Sequence, residues 1–345
     1  YTSGTNAGLG NEAITITDTL TVAQFNVLAA LTTGVITATI SDGDMATLNG
    51  INETGNALAI TVTDSTVAAD PLNALDGKTT SVVTVNSSTI TGSVTDLIAA
   101  YTANSAGTIT GLGNEAITIN DYLTVAQLNY LGANNDGVIT ATISEGDMLT
   151  LGGITPLGNT LAITVTDEVV AAAELNTLDS KTTTDLTVTS STITGSASDL
   201  ITAYAAAGSI NGLGNEAISL SDTSIDATVL LALDALTTGI IDASSITTLT
   251  GADSDQEAAR ASSGITGLPG SINSITLTAQ TISASELLSL DAQYSGIIDA
   301  SSVNTITGTG ADLILSYTAN VAGGITGLGN EAITVNDSIT VAQLN

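Results

Sequence analysis

The chain has 345 residues, 34 Asp and Glu against three Lys and Arg, and a formal net charge of −31. That charge repels nucleic-acid phosphates and anionic membrane surfaces, and the absence of His and Cys removes imidazole catalysis, thiolate metal sites and disulfides. No apolar run reaches the ~18 residues of a membrane span, so no membrane insertion is expected, while a hydrophobic content of 43% is not the composition of a disordered chain.

In chain order, the first phrase to recur is GLGNEAI, at 8–14, 111–117, 212–218 and 327–333. It sets long repeats near 8–110, 111–211 and 212–250. Thr21 and Thr124, Ser41 and Ser144, Thr66 and Val169, and Ser93 and Ser196 correspond across the first two copies. Onsets at 21, 41, 66 and 93 therefore divide one long copy into four short units, each of a length typical of one coil of a solenoid.

Each short unit opens on a β-branched, partly alternating run: AITIT at 13–17, VITATI at 35–40, LAITVT at 58–63 and SVVTV at 81–85. Such runs suit a pleated surface with one buried face. The segments that follow carry helix-start signals, TVAQ at 21–24, SVTD at 93–96, SASD at 196–199 and SASE at 283–286, with a hydroxyl three residues before an acceptor side chain. After the cap, Val94, Leu97, Ile98 and Tyr101 trace one apolar helix face, and Ala197, Leu200, Ile201 and Tyr204 repeat it. Gly34, Gly137, Gly239 and Gly296 stand where a left-handed residue would release each helix into the next strand.

A strand and a short helix cannot bury an apolar face alone, so the units must stack. The expected fold is an α/β repeat, a right-handed solenoid with short parallel β-strands and a short capped helix per ~25-residue coil. About 13 coils at roughly 4.8 Å spacing would make a rod of about 60 Å. Solenoid coils are expected over 1–250 and again over 273–345. Residues 251–272, with the only Arg and a dense acidic run, are expected to form an irregular loop or coil between them. The phrase SITVAQLN at 338–345 repeats TLTVAQFN of 19–26, which suggests a window onto a longer array.

The recurrent acids are the candidates for chemistry. Asp18, Asp64, Asp121, Asp167, Asp222 and Asp337 close strand-like runs, while Asp42, Asp44, Glu145 and Asp147 sit in SDGDM and SEGDM units. Carboxylates aligned on neighbouring coils would repel unless a cation lay between them, and oxygen-only ligands suit calcium. The competing reading is that these acids cap helices and solvate an edge. Glu12, Glu115, Glu216 and Glu331 recur once per long repeat, too far apart to form a catalytic pair, and are expected to turn the chain or contact a neighbouring rod. Ser without a base offers no activated nucleophile, and no catalytic or cofactor-binding residue is expected.

The phrases TVAQLN, LDALTTG, IIDASS, TITG and ITGLGNEAIT resemble repeat segments of very large cyanobacterial extracellular proteins, including giant cell-surface proteins. The resemblance implies a secreted or surface-attached structural protein, such as a surface-layer component, filament or adhesin stalk. Its partners would be copies of itself, end to end or side by side, and cell-surface polysaccharide. A calcium-dependent adhesin stalk or ligand-binding module is the alternative, followed by a polysaccharide-active enzyme.

Overall fold

The computed structural model describes residues 10–206, 208–268, 274–294, 296–338 and 340. The chain is α/β throughout, with short helices between short parallel strands gathered in several sheets. It divides into two compact units, Tyr1–Thr164 with Leu178–Leu186, and Val165–Thr177 with Thr187–Asn345.

In the first unit, one sheet takes the strands Ile14–Leu20, Ile36–Ile40, Ala57–Val62, Val83–Val85 and Ile109–Thr110 in that order. A second runs through Thr66–Ala68, Thr89–Gly92, Ala116–Leu123, Ile139–Ile143 and Thr160–Val165. The pairings are parallel, and partners lie 20 to 27 positions apart in sequence, as in Thr37 with Ala57 and Thr89 with Ala116. This is the interval of the short repeat, so each unit of sequence contributes one rung to a sheet. Like side chains then fall on like: Val67, Ile90, Ile117 and Ile139 are in register and all buried.

The second unit follows the same rule. Ile193, Ile218, Ile241 and Ile265 form one buried aliphatic ladder. Ile225, Leu249, Ile275, Ile298 and Ile325 form another. Alternation explains both: in Ile36–Ile40, Ile36, Ala38 and Ile40 are buried while Thr37 and Thr39 face solvent. Helix faces close the interior, through Leu72 and Leu75, Leu97 and Tyr101, or Leu230 and Leu233. Burying one such side chain contributes about 1.5–3 kcal/mol, and one turn holds only a handful of them. The interior exists because neighbouring repeat units share it.

Local signals set the helix starts. Thr21 accepts from the Gln24 amide in a capping box at Val22–Ala29, and Thr124 with Gln127 and Ser283 with Glu286 do the same at Val125–Asn134 and Ala284–Gln293. Ser93 and Ser196 cap Val94–Ala106 and Ala197–Ala205. Two onsets shift. The helix after Ser41 begins at Met45 with Asp44 as its cap, and Thr66 lies in a strand that precedes the helix Ala69–Asp76.

Two expectations are corrected. Residues 251–272 do not start as an irregular loop: the acidic run is the helix Asp253–Ala261, followed by the strand Ile265–Thr266, and the pattern continues unbroken to Leu268. Residues 269–272 lie outside the described residues, as do parts of the terminal phrases 8–14 and 338–345. Nor are Gly34, Gly137 and Gly239 left-handed. A Cβ there would stand 1.9, 2.0 and 1.8 Å from the carbonyl oxygens of Glu12, Glu115 and Glu216. They are glycines because the backbone of the preceding turn passes over them. Left-handed glycines do end two helices, at Gly107 and Gly323, with φ of 83° and 89°.

Candidate functional site

Six of the recurrent acids do one job. Two residues after a strand segment, a carboxylate reaches back to the preceding turn and accepts the first amide of its helix. Asp42 takes the Val22 N–H at 2.6 Å, Asp64 that of Met45 at 2.6 Å, and Asp121 that of Val94 at 2.9 Å. Asp222 takes Ala197 at 2.7 Å, Asp337 takes Gly310 at 2.9 Å, and Glu145 takes Val125 at 3.2 Å.

The backbone prepares this reach. The residue just before each acid extends the strand ladder by one bond, as in Ser41 N–H to the Leu20 carbonyl, Ser221 to Gly195 and Asn336 to Gly308. The next position is the acid, which meets the helix start. In Ala116–Leu123 the register with Ile139–Ile143 slips between Thr118 and Tyr122, and Asp121 lies in that bulge. A helix leaves its first amides unpaired. Here the local cap, a hydroxyl or at Met45 the Asp44 carboxylate, takes the third and the carboxylate of the following repeat unit takes the first, at the positive end of the helix dipole.

Of the acids considered for calcium, Asp42, Asp64, Asp121, Glu145, Asp222 and Asp337 are such caps. Asp44 and Asp147 cap their own short helices by accepting the Thr47 and Thr150 amides, each at 2.9 Å. Those bonds hold both carboxyls below the usual range: at Asp44 chiefly the backbone N–H, at Asp147 first the Thr150 side chain. Asp18 is exposed, in the bulge of Ile14–Leu20 that matches the one holding Asp121. Asp167 matches Asp64 one long repeat on and is also engaged. No group of three or more acidic side chains among the described residues is placed to share a metal ion.

The GLGNE phrase closes on its own glutamate. The Glu115 carboxylate accepts the Gly113 N–H at 2.8 Å and the Asn114 N–H at 3.2 Å, and the Tyr101 hydroxyl donates to it at 3.1 Å from the preceding helix. Asn135 donates to the Glu115 carbonyl at 3.1 Å. Glu216 takes Gly214, Asn215 and Tyr204 in the same way, and Glu331 takes Gly329, Asn330 and Tyr317. Glu115 and Glu216 are buried, 5% and 3% exposed. Burial, reinforced by the facing carboxylate, pushes the Tyr101 and Tyr204 phenols well above their ordinary value. The expected role in turning the chain has a concrete form: the loop is wound around its own glutamate carboxyl group. A Tyr-to-Glu interval of 12 to 14 residues, present three times, was the available signal.

Both lysines are equally constrained. Lys78 donates to the Asn49 and Ile51 carbonyls at 2.8 and 2.7 Å, and Lys181 to Gly152 and Ile154 at 2.8 and 2.7 Å. Each neutralises the carbonyl end of a short helix. Two equivalent polar notches, of about 110 and 180 Å³, lie beside Gly34 and Gly137. Each is lined by one carboxylate, Glu53 or Asp136. Neither assembles the two carboxyl groups that glycoside hydrolysis requires. No helix among the described residues is long and apolar enough to cross a membrane. Neither the protein-family models nor the curated proteins compared with this sequence include one that matches it.

Proposed function

We propose that this chain is a structural repeat protein: a right-handed α/β solenoid whose turns serve as a stiff acidic extracellular rod, filament or surface-layer component. The observation that supports this most is that the same bonds between successive turns recur along the chain. Strand register, carboxylate cap and buried glutamate loop are all spent on joining one turn to the next. A binding or catalytic site needs a place unlike its surroundings; here the acids most available for chemistry are occupied in holding the stack. The extracellular setting and the self-association rest on the sequence resemblance and on a charge that keeps chains apart until it is screened.

Negative-stain electron microscopy at neutral pH across a salt series tests this. Elongated particles that associate as salt or divalent cation rises are expected, whereas compact particles indifferent to both would refute the reading. Melting in a chelator separates the calcium-dependent stalk. Helix-capping carboxylates need no metal, so an unchanged melting temperature is expected, and a large loss restored by calcium would favour the stalk.

A further inference from the structure

Asn56 and Asn159 occupy matching places one long repeat apart and are buried, 7% and 3% exposed. Their Oδ1 atoms accept the Ile36 and Ile139 amides at 2.8 and 2.7 Å. In the third copy the Gly264 carbonyl takes the equivalent Ile241 amide at 2.7 Å. The asparagine oxygen therefore stands in for a backbone acceptor, and that bond fixes which way the side-chain amide is turned. Nδ2, with two N–H groups, is left over. Among the described residues it has no acceptor in either copy, although a buried amide ordinarily finds one.

Both asparagines line the polar notches, of about 110 and 180 Å³. Asn56 shares its notch with Val35 and Glu53, and Asn159 shares the other with Asp136 and Leu157. Glu53 and Asp136 are exposed, and among the described residues neither carboxylate holds a hydrogen bond, unlike the capping acids. They do not correspond in sequence: the counterpart of Glu53 is Pro156 and that of Asp136 is Thr33. Each notch nonetheless keeps one carboxylate. Each also keeps an exposed aliphatic side chain, Val35 at 48% and Leu157 at 70%. One free donor, one free acceptor and one apolar wall thus recur together.

We propose that each notch binds a single neutral sugar residue. One hydroxyl accepts from asparagine Nδ2, a neighbouring hydroxyl donates to the carboxylate, and a C–H face of the ring lies on Val35 or Leu157. A hydroxyl pair suits this setting because it supplies an acceptor and a donor on adjacent atoms without charge. Calcium would need 6–8 oxygen ligands, and one carboxylate is far from that. An anion is repelled by a chain of net charge −31. The volumes fall well below the roughly 300 Å³ at which sites for drug-sized ligands begin, so the fit is to one ring. All the lining residues belong to the first compact unit, and the site is complete without assembly of a rod.

Saturation-transfer NMR on the full chain tests this, with the methyl glycosides of glucose, galactose, mannose and N-acetylglucosamine and the corresponding disaccharides as probes. Transfer to at least one probe is expected, strongest at ring C–H protons. Transfer to a methyl glycoside identifies a free or terminal residue, and transfer to disaccharides alone identifies a residue within a chain; either supports the site. Glu53→Ala combined with Asp136→Ala removes two exposed side chains, so the melting temperature is expected to hold while Kd rises about tenfold or more. Asn56→Asp combined with Asn159→Asp keeps an acceptor for Ile36 and Ile139, removes the donor, and is expected to weaken binding by a similar factor. Should the aspartate pair fail to fold, the alanine pair decides. No transfer to any probe, as for notches that hold water alone, or an unchanged Kd in the alanine pair, overturns the proposal.

Discussion

At the scale of single residues, what matters is which polar atoms are buried and what satisfies them. Glu115 is held by two backbone N–H groups and a buried phenol. Glu115→Ala orphans all three donors and is expected to destabilise the first unit by about 3 kcal/mol, whereas Tyr101→Phe, which removes one neutral donor, should cost about 1 kcal/mol. Denaturant melts of the two variants check the order, and equal effects would mean that the loop is not built around its carboxylate. Glycines divide in the same way. Gly137→Ala drives a Cβ to 2.0 Å from the Glu115 carbonyl oxygen, while Gly107→Ala meets nothing within 4 Å and strains only a φ of 83°. The second is expected to cost about 1 kcal/mol and the first clearly more.

At the scale of elements, legibility followed distance along the chain. Strands and helix starts were legible because their causes are local. Alternation in ITATI fixes which face is buried, and Thr21 with Gln24 or Ser283 with Glu286 closes a cap within three residues. The four-unit long repeat was legible because identical phrases recur. The partners of Asp42, Asp121 and Asp222 were not, since each acts on a helix 20 to 27 residues earlier and only the strand register brings the two together. Gly137 was misread for the same reason: a helix-ending glycine and a glycine under another turn's carbonyl look alike in sequence. Tyr101 was legible as an apolar helix face, and its hydroxyl became intelligible only against the loop fourteen residues on.

At the scale of the whole molecule, charge and titration set the working range. The N–H of Gly10 holds the Glu12 carboxyl below the usual range, and the Ser283 hydroxyl does so for Glu286. Burial opposes ionisation of Glu331, yet the Tyr317 hydroxyl and the Gly329 and Asn330 amides prevail and lower it as well. With Asp44 and Asp147, these groups have folded values below their unfolded ones. Their stabilisation is present above the unfolded value of about 4 and is lost as pH falls through the folded values. The melting temperature is therefore expected to drop on acidification below about pH 4. The phenols act in the opposite direction. Burial raises Tyr101 and Tyr204 and brings Tyr294 to about 12. Their stabilisation is full below the unfolded value of about 10 and disappears as pH rises through the folded values. A pH series of thermal melts should show a plateau between these limits, and a steady slope across neutrality would contradict it.

The central claim is that a carboxylate in one repeat unit caps the helix of the unit before. A double-mutant cycle at Val94 and Asp121 tests it most directly. Proline at position 94 deletes the N–H that Asp121 accepts, and it is tolerated at the first position of a helix. Ser93 already has the extended backbone, φ −69° and ψ 154°, that a residue before proline requires. Asp121→Ala is expected to cost about 1 kcal/mol in the wild type and close to nothing in Val94→Pro, a coupling of about 1 kcal/mol. An Asp121→Ala cost that is the same in both backgrounds would contradict it.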